Sequence, residues 1–530
     1  GPAPVPAPDR VLWLRADQGV TGTSEVTEWL DQSSSGNDAG LTSLAGPEFV
    51  SSLAGMNNQP ALLFDRANSE GMNVADTDDI NGDDNGTIQY ATRTITLAFQ
   101  TGSDVNTRQI IYEEGGGSNG FNVYIESGSV VASAWSETQG WAQHFSISET
   151  VTTNEAYITT FVFDKDAPNQ LEFFVNGTSA GTVSDPSITF MNEHVGDIGI
   201  GNVIEATQFP PNDEVATGDD GTEGFSGHIG EVVLTSGALN TAQRQILESD
   251  LSERYAITIA GDRYGFPNTL GAIRGIGEAA DGTRQTEATS GILSFEVPAF
   301  DGTGDDFALV GHNENAETFI TDTDPTDIGE RLDRVWRYDV VGSPSFDLAF
   351  DVSGFPTLAS GQTYELLIEN DETFTGSATA VGGTLSGTTF TVSSASLSSL
   401  SDGDYLTLAK TATTGPSSLT YAPNPLADLQ SNLPFTATAS VGGASGTVTY
   451  AISPGSDDTN GSTTVTYGTT TDGTPQDVEI NTSTGEITVN SGAPTGEYTA
   501  TVDATDSNGT VTFTDVLTIT VQGQVTLSYD

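Results

Sequence analysis

The sequence predicts an all-β fold made of several β-sandwich domains. The chain has 530 residues, too many for one ordinary core, so about three domains are expected. Runs of alternating apolar and polar residues recur along it, separated by segments rich in Gly, Asn and Asp. This alternation is typical of strands that bury one face of a sheet. The 60 glycines agree with many turns.

Residues 11–39 predict the first two strands of the N-terminal domain, followed by a polar turn. Trp13 and Trp29 lie beside turn-forming residues in this stretch, and we interpret both as core anchors. Further on, Asn176-Gly177 predicts a tight hairpin turn. The period-two pattern predicts seven more strands, over residues 60–64, 94–100, 109–112, 120–126, 157–164, 170–175 and 227–234.

One helix is predicted, over residues 239–255. Asn240 or Thr241 can cap its N-terminus, and apolar residues such as Leu251 and Tyr255 then recur at helical spacing. We expect this helix to close the first domain by packing on the edge of the sandwich.

The motifs of the first domain follow one another in an order that resembles a known family. They are VLWLRADQGV, VTEWLDQSSSGNDA, QPALLFD, EFFVNG, GHIGEVVL and NTAQRQILESDLSERYAI. This order resembles the LamG-type, concanavalin-A-like jelly roll of bacterial surface proteins of the Bacteroidota type, and Glu231 and Tyr255 match its pattern. The resemblance implies a jelly roll with one closing helix over residues 11–259, in an extracellular setting. It implies no single function, because this fold serves lectins, glycosidases and adhesion modules alike.

The rest of the chain predicts two smaller, immunoglobulin-like sandwiches. Residues 260–410 resemble the β-sandwich module that commonly follows LamG domains. Residues 411–524 resemble a cadherin-like or immunoglobulin-like repeat through INTSTGEITV and EYTATVDATDSNG. Residues 1–10 are expected to form an extended, Pro-rich segment, either a processed natural terminus or the remnant of a cleaved tag. Residues 525–530 predict a terminal strand, either the last of its own domain or one that completes a neighbouring subunit.

The charge balance excludes several classes of partner. Lys and Arg together number 15 against 73 Asp and Glu, which gives a net charge of −58. Nucleic acid and anionic membranes are therefore not expected partners, since both attract basic proteins. A saline habitat that screens the repulsion, or Ca²⁺ bound by carboxylates, accounts for the acidity. The chain has no cysteine and no apolar run of about 18 residues, so neither disulfides nor a membrane-spanning helix is expected.

Calcium is the predicted cofactor, because the ion binds about six to eight oxygen ligands of the kind that acidic loops supply. The densest acidic segment is ADTDDINGDDNG. In the last domain, Ala504-Thr505-Asp506 resembles the Ala-x-Asp element of cadherin repeats, whose Asp binds calcium. The alternative for each segment is a solvated turn. The candidate ligands are Asp76, Asp78, Asp79, Asn81, Asp83, Asp84, Asp503 and Asp506.

Two aromatic residues are candidates for glycan binding. Trp135 and Trp141 flank a predicted loop in SAWSETQGWAQHF. An aromatic ring can stack on the apolar face of a sugar ring, so these side chains predict a glycan platform. The alternative is that both belong to the core.

One segment matches a catalytic pattern. Residues 248–253 fit the E-x-D-x-x-E pattern of jelly-roll glycosidases, in which two strand-borne carboxylates act as nucleophile and acid. Here the segment falls in the predicted helix, where Glu248 and Asp250 point about 200° apart. We interpret them as part of a solvated helix face. The sequence motifs for acyl and phosphoryl transfer are missing, so no catalytic residue is predicted.

The sequence therefore favours a non-catalytic, extracellular adhesion or structural protein of the bacterial cell surface. This hypothesis includes a subunit of a surface filament joined by β-strand addition. The expected partners are other copies of the chain, surface glycans or other cells. The first alternative is a calcium-dependent, glycan-binding lectin, and the second is a glycoside hydrolase.

Overall fold

The structure is a computed structural model in which the strands fall into three groups of sheets. The predicted all-β fold class with several β-sandwiches is confirmed. Residues 1–9 and 525–530 lie outside the part of the chain that is described. The described residues are 10–41, 44–81, 89–194, 196–210, 214–218, 222–265, 273–321, 328–358, 362–374, 378–411, 416, 418–444, 447–458, 465–470, 476–506 and 509–523.

The first group forms a sandwich of two large sheets around one apolar core. The eight-stranded sheet has the order Thr178–Val183, Leu171–Val175, Ala156–Asp164, Thr92–Thr101, Gly227–Thr235, Gln59–Phe64 and Glu48–Leu53, and Arg10–Arg15 also pairs with Gly227–Thr235. The nine-stranded sheet has the order Phe145–Thr150, Ser129–Ser136, Asn119–Glu126, Gln109–Gly115, Ile198–Ile200, Met72–Val74, Ala39–Gly40, Glu28–Trp29 and Val20–Thr21. Two short pairs complete the group, Gln89–Tyr90 with Met191–Asn192 and Ala206–Phe209 with Glu214–Thr217.

The seven strands predicted from period-two patterns are all present, with ends that differ by a few residues. Leu171–Val175 shows the reason, since its first, third and fifth side chains point into the core while the two between them do not. Asn176 and Gly177 have φ angles of 47° and 72°, the left-handed pair that a two-residue hairpin turn requires. This hairpin prediction is confirmed.

The opening strand Arg10–Arg15 is buried along its whole length. Leu12 and Leu14 enter the core between the two sheets, whereas Trp13 packs on the opposite face of the eight-stranded sheet. The Trp29 Nε1–H group donates to the Arg15 carbonyl oxygen at 2.8 Å, which holds the second predicted strand against the first. Trp13 and Trp29 are therefore core residues, as the sequence predicts.

The long helix Thr241–Tyr255, hereafter the interface helix, begins at a capping box. The Asn240 side chain accepts from the Gln243 backbone amide while the Gln243 side chain accepts from that of Asn240. The helix ends before Ala256, whose φ of 52° is left-handed. Elsewhere in the described ranges, the helices are the four-residue Asp78–Asn81 and the 3₁₀ turns Ala54–Met56, Arg66–Asn68, Ser394–Ser396 and Gln430–Asn432.

The interface helix lies on the face of the eight-stranded sheet, and not at the edge of the sandwich. Leu247 and Leu251 pack there with Trp13. The other side of the helix is also covered, because Ile246 packs with Phe307 of the second group of sheets. Eleven of its 15 residues are consequently buried. The predicted packing at the sandwich edge is therefore wrong, and the helix joins two sandwiches.

The second group of sheets is a sandwich whose core includes Trp336 and Tyr338. One sheet has the order Arg284–Gln285, Arg274–Glu278, Asp306–His312, Trp336–Val341, Tyr405–Thr411, Ile328–Leu332 and Phe319–Thr321, with two further strands attached, Tyr364–Glu369 and Thr379–Gly382. Of the two attached strands, Tyr364–Glu369 pairs directly with Tyr405–Thr411, and Thr379–Gly382 pairs with Tyr364–Glu369. The other sheet has the order Ala288–Ser290, Leu293–Ala299, Ser345–Asp351, Thr389–Val392 and Thr384–Ser386.

The third group of sheets also encloses its own apolar core. Its five-stranded sheet has the order Ser418–Ala422, Phe435–Gly442, Ile487–Val489, Val478–Ile480 and Tyr467–Thr469. Its four-stranded sheet has the order Leu426–Leu429, Gly509–Gln522, Gly496–Asp506 and Thr449–Asp458, of which the first two pair in parallel.

Among the described residues, none of the helices has the length and apolar character needed to cross a membrane.

A large share of the few cations lies in the interior. The chain has 15 Lys and Arg residues, of which Lys165 and Lys410 are the only lysines, so 13 are arginines. Seven of these arginines are buried. Eleven Asp and Glu residues are buried as well, so about half of the cations but only a small share of the 73 acids lie in the interior. The buried arginines are Arg10, Arg15, Arg93, Arg244, Arg254, Arg274 and Arg331.

This distribution predicts that salt stabilises the fold. Raising NaCl from about 0.1 to about 1 M shortens the Debye length from about 10 to about 3 Å, which weakens repulsion between surface carboxylates more than attraction inside buried pairs. We expect the midpoint of urea unfolding to rise with NaCl. Urea is used because it is uncharged. A midpoint that stays constant or falls over this range would contradict the prediction.

Candidate functional site

The interface helix is fixed to the first sandwich by three buried charged residues and two aromatic residues that donate hydrogen bonds to them, hereafter the interface ion cluster. Its members are Trp13, Glu231, Asp250, Arg254 and Tyr255. The Arg254 guanidinium lies 3.3 Å from Glu231 Oε2 and 3.2 Å from Asp250 Oδ2. Trp13 Nε1 donates to Glu231 Oε1 at 2.6 Å, and the Tyr255 hydroxyl donates to Glu231 Oε2 at 3.1 Å. Both oxygens of the Glu231 carboxylate are thus held.

The cluster continues into the second sandwich. Asp250 Oδ1 accepts a hydrogen bond from the Ile273 backbone amide at 2.7 Å. Arg274 then donates to the Ile273 carbonyl oxygen at 2.6 Å. On the opposite side, the Arg10 and Arg15 guanidinium groups lie 4.6 and 5.2 Å from the centre of the Trp13 ring. A continuous series of ion pairs, hydrogen bonds and cation–π contacts therefore connects the opening strand to Arg274, in the first strand of the second sandwich.

Burial and pairing act in opposite directions on these groups. Burial raises the pKa of Glu231 despite the nearby charge of Arg254. Burial also favours a raised pKa for Asp250, but Arg254 and Arg274 outweigh it and lower the pKa of that carboxyl. Burial lowers the pKa of Arg274 to about 9, against the attraction of Asp250. Each charge therefore depends on its partners to remain ionised in the interior.

The residues of the glycosidase-like pattern belong to this interior. Glu248 is 1% exposed and Asp250 is 2% exposed, so the predicted solvated helix face is wrong. Glu248 forms an i,i+4 ion pair with Arg244, and Asp250 pairs with Arg254. The prediction requires one solvent-exposed face of the helix, whereas each face packs against a sandwich. Both carboxylates serve as structural partners of arginines.

The first predicted calcium segment is described only in part. Asp76 accepts from the Asn81 side-chain amide at 3.2 Å, and its own backbone amide donates to Asp197 Oδ1 at 2.8 Å. Asn81 is buried and its side-chain oxygen accepts from the His194 backbone amide at 3.0 Å. Burial, and then the charge of Arg93, lower the pKa of His194 to about 3. Both the nitrogen and the oxygen of the Asn81 side-chain amide are therefore hydrogen-bonded within the protein.

The other predicted calcium ligands do not converge. Asp78 and Asp79 are exposed in the first turn of a four-residue helix. Asp503 and Asp506 are three residues apart on one strand, so they point to opposite faces. Among the described residues, no group of three or more His, Asp or Glu could hold a metal ion. Asp83 and Asp84 lie outside the described residues, and calcium binding stays a prediction.

The structure places both predicted glycan platforms in the interior. Trp135 is fully buried, lies against Gly120 and donates from Nε1 to the Gly116 carbonyl oxygen at 3.0 Å. Trp141 is 7% exposed, and its ring centre lies about 6 Å from those of Phe145 and Phe163. Neither ring presents a face to a sugar, so these two residues form no open platform. Both tryptophans are buried core residues, which is the alternative interpretation given for them.

Sequence reasoning missed a pair of carboxyl groups beside the segment that leads from the helix to the second sandwich. Asp339 is 6% exposed, and its Oδ2 accepts from the Gly265 backbone amide at 2.5 Å. Burial, and then the neighbouring carboxylate of Asp402, raise the pKa of Asp339 to about 6. The two residues are far apart in the sequence and belong to different loops and strands. No local pattern could have indicated that they meet.

Comparison with known sequences gives a partial match. A protein-family model described as "Domain of unknown function (DUF8202)" matches residues 300–404, which lie within the second sandwich. The match covers a minor part of the chain. A search of curated proteins finds no match.

Several solved structures are similar to parts of the chain. The binding domain of Paraclostridial Mosquitocidal Protein 1 is 10% identical, with a TM-score of 0.34 over 76% of this chain and 97% of that one. Domain 4 of AbnA, a GH43 extracellular arabinanase from Geobacillus stearothermophilus solved with arabinotriose, is 11% identical, with a TM-score of 0.30 over 46% and 98%. The CBM40 of the Ruminococcus gnavus IT-sialidase, bound to α2,3 sialyllactose, is 17% identical, with a TM-score of 0.21 over 29% and 79%. TM-scores this low support no argument about function.

The interface ion cluster predicts a large effect for Arg254→Met. The substitution keeps an unbranched side chain but leaves Glu231 and Asp250 buried without their cation. Breaking a buried ion pair in this way costs about 3–5 kcal/mol. We expect the free energy of unfolding of the transition that includes the first two sandwiches to fall by this amount in urea.

Lys165→Met is the matched control. Lys165 lies 2.6 Å from Asp166 at the protein surface, and an exposed pair contributes up to about 1 kcal/mol. Equal losses of stability in Arg254→Met and Lys165→Met would show that the cluster does not stabilise the interface.

Asp339 predicts a specific pH dependence. Its folded-state pKa of about 6 is above its ordinary value of 3.8, so the folded protein binds the proton more tightly than the unfolded chain. This carboxyl therefore stabilises the fold at acidic pH, and that contribution is lost as the pH rises from about 4 through 6. We expect Asp339→Asn to raise stability at pH 7 relative to the parent protein.

The measurement is the difference in urea midpoint between Asp339→Asn and the parent protein at pH 4, 5, 6 and 7. Taking the difference removes the titration of other carboxyl groups. Asp402→Asn should act in the same direction, because it removes the neighbouring negative charge. A difference that does not change with pH would contradict the prediction.

Proposed function

We propose that this chain is a non-catalytic, extracellular adhesion or structural protein of a bacterial cell surface. The observation that carries the proposal is the interface helix, which is buried between two sandwiches and held there by the interface ion cluster. A joint of this kind resists movement of one module relative to the next. Such a joint suits a protein that spans a distance or bears load outside the cell.

The placement of the carboxylates supports a non-catalytic role. A glycosidase needs two carboxyl groups that face each other across an open cleft, with room for the sugar between them. The acids of the glycosidase-like pattern instead face arginines in a water-excluded interior, where Glu248 pairs with Arg244 and Asp250 pairs with Arg254. Their geometry suits packing of the helix and leaves no room for a substrate.

The setting is supported by the sequence. The first domain resembles a LamG-type jelly roll of bacterial surface proteins, followed by a β-sandwich module and a cadherin-like or immunoglobulin-like domain. The acidic surface and the buried arginines suit a saline environment. We further propose that calcium stabilises the segment at Asp76 to Asp84 and the loop near Asp506, and that copies of the chain associate through added strands.

Imaging of the protein as secreted tests this proposal. We expect negative-stain micrographs to show linear assemblies, or the purified chain to attach to cells or glycan-coated beads. Comparison with and without EDTA shows whether calcium contributes to either behaviour. Monomers that attach to neither cells nor beads, together with release of sugar from polysaccharides, would overturn the proposal. Glu248→Gln is the control for that activity, because a glycosidase using this carboxyl would lose it.

A further inference from the structure

A groove of about 300 Å³ opens between the first two sandwiches, at the start of the interface helix. Its floor is the outer face of the eight-stranded sheet, where Val162 is paired with Glu172 and Thr160 with Phe174 across two strands. The second sandwich closes one wall, since Thr241 of the helix donates from Oγ1 to Asp281 Oδ2 at 2.5 Å. The groove therefore exists only where both sandwiches meet.

An aromatic ring in the floor is held in a fixed orientation. The Arg244 guanidinium carbon lies 3.7 Å from the centre of the Phe174 ring, and Arg244 is itself paired with Glu248. Phe174 is half-buried and lines the groove beside Val162 and Leu239. Arg244 covers one face of the Phe174 ring, so the apolar surface left for the C–H face of a ligand is the rest of Phe174 together with Val162 and Leu239.

The rim of the groove is rich in hydrogen-bond acceptors. Asp164 Oδ1 accepts from the Asp166 backbone amide at 2.9 Å, and Glu172 Oε1 accepts from the Asn169 side chain at 3.1 Å. Within the described structure, the second oxygen of each carboxylate is left for a ligand. A ligand that fills the groove must therefore bring donors to Asp164 and Glu172 and an apolar face to Phe174.

We infer that this groove binds a neutral sugar residue of a glycan. Sugar hydroxyls donate to carboxylates, and the opposite face of the ring packs on an aromatic side chain. Anionic ligands are opposed by Asp164, Glu172 and Asp281, whose side chains line the groove. The Arg244 guanidinium already occupies one face of the Phe174 ring, so a cationic ligand finds no cation–π position on that face.

This inference deepens the proposed adhesive function and rests on it, because it supplies the class of ligand to which the protein attaches. It also separates this site from a calcium-dependent lectin. All the groups that hold the sugar are side chains of the groove, so binding requires no metal ion. The platform is Phe174, and not the buried Trp135 or Trp141.

The test begins with the full chain on an array of immobilised neutral, sialylated and amino-sugar oligosaccharides, once in buffer with calcium and once in buffer with EDTA. The neutral oligosaccharide that binds best is then titrated as a free ligand by calorimetry. We expect neutral glycans to bind, and Glu172→Gln and Asp164→Asn each to weaken the affinity about tenfold. Each variant removes one charged acceptor, whose hydrogen bond is worth about a factor of ten or more in affinity.

Glu149→Gln is the matched control. Glu149 lies on the nine-stranded sheet and, like Glu172, uses one carboxylate oxygen for a neighbouring group, here the Thr150 amide at 2.8 Å. Its affinity should equal that of the parent protein. Unfolding midpoints of all variants, which should match that of the parent, separate loss of binding from loss of structure.

Several outcomes overturn the inference. They are absence of binding to neutral glycans, a strict preference for sialylated or amino sugars, loss of binding in EDTA, and neutral-glycan binding that Glu172→Gln and Asp164→Asn leave unchanged. Attachment to cells or linear assembly that persists in these variants would leave the proposed function standing while the groove is excluded. The two proposals can therefore fail separately.

Discussion

The position of Arg254 between two carboxylates is the constraint on which the arrangement of the first two sandwiches depends. Its guanidinium lies within 3.3 Å of Glu231 on a strand of the first sandwich and within 3.2 Å of Asp250 on the interface helix. Asp250 in turn accepts from the backbone at Ile273. Movement of either sandwich would leave an uncompensated charge in the interior, which is among the costliest states in a protein. The two sandwiches are therefore joined by electrostatics as well as by apolar packing.

The distribution of the few cations follows from the same constraint. Fifteen Lys and Arg residues cannot neutralise 73 acids over a surface. The fold instead uses many of its arginines inside, where low dielectric makes each pairing strong, and leaves the surface to water and counterions. Arginine suits this role because it stays charged in the interior and its planar group also packs on rings such as Trp13 and Phe174.

The sequence predicted features that depend on local physics. Strand alternation, the Asn176-Gly177 turn and a helix cap at Asn240 or Thr241 each follow from residues close together in the chain. The structure has all three, with Asn240 as the cap. Features that depend on distant partners escaped prediction. The burial of Glu248 does not follow from the helix pattern, because its hydrogen-bond partner Thr160 belongs to a strand far away in the sequence. Trp135 was a candidate platform because the sequence does not show that it lies buried against a facing glycine. The inter-sandwich groove escaped prediction for the same reason.

The shared interface helix changes what counts as one module of this protein. A fragment cut after residue 259, where the resemblance to a LamG-type jelly roll ends, would keep the helix and lose its second partner. Ile246 would then face water, and Asp250 would lose the Ile273 amide. The piece that can be transplanted, shortened or fused without exposing such a face extends from the opening strand to the end of the second sandwich. For protein engineering, the first two sandwiches are one indivisible part.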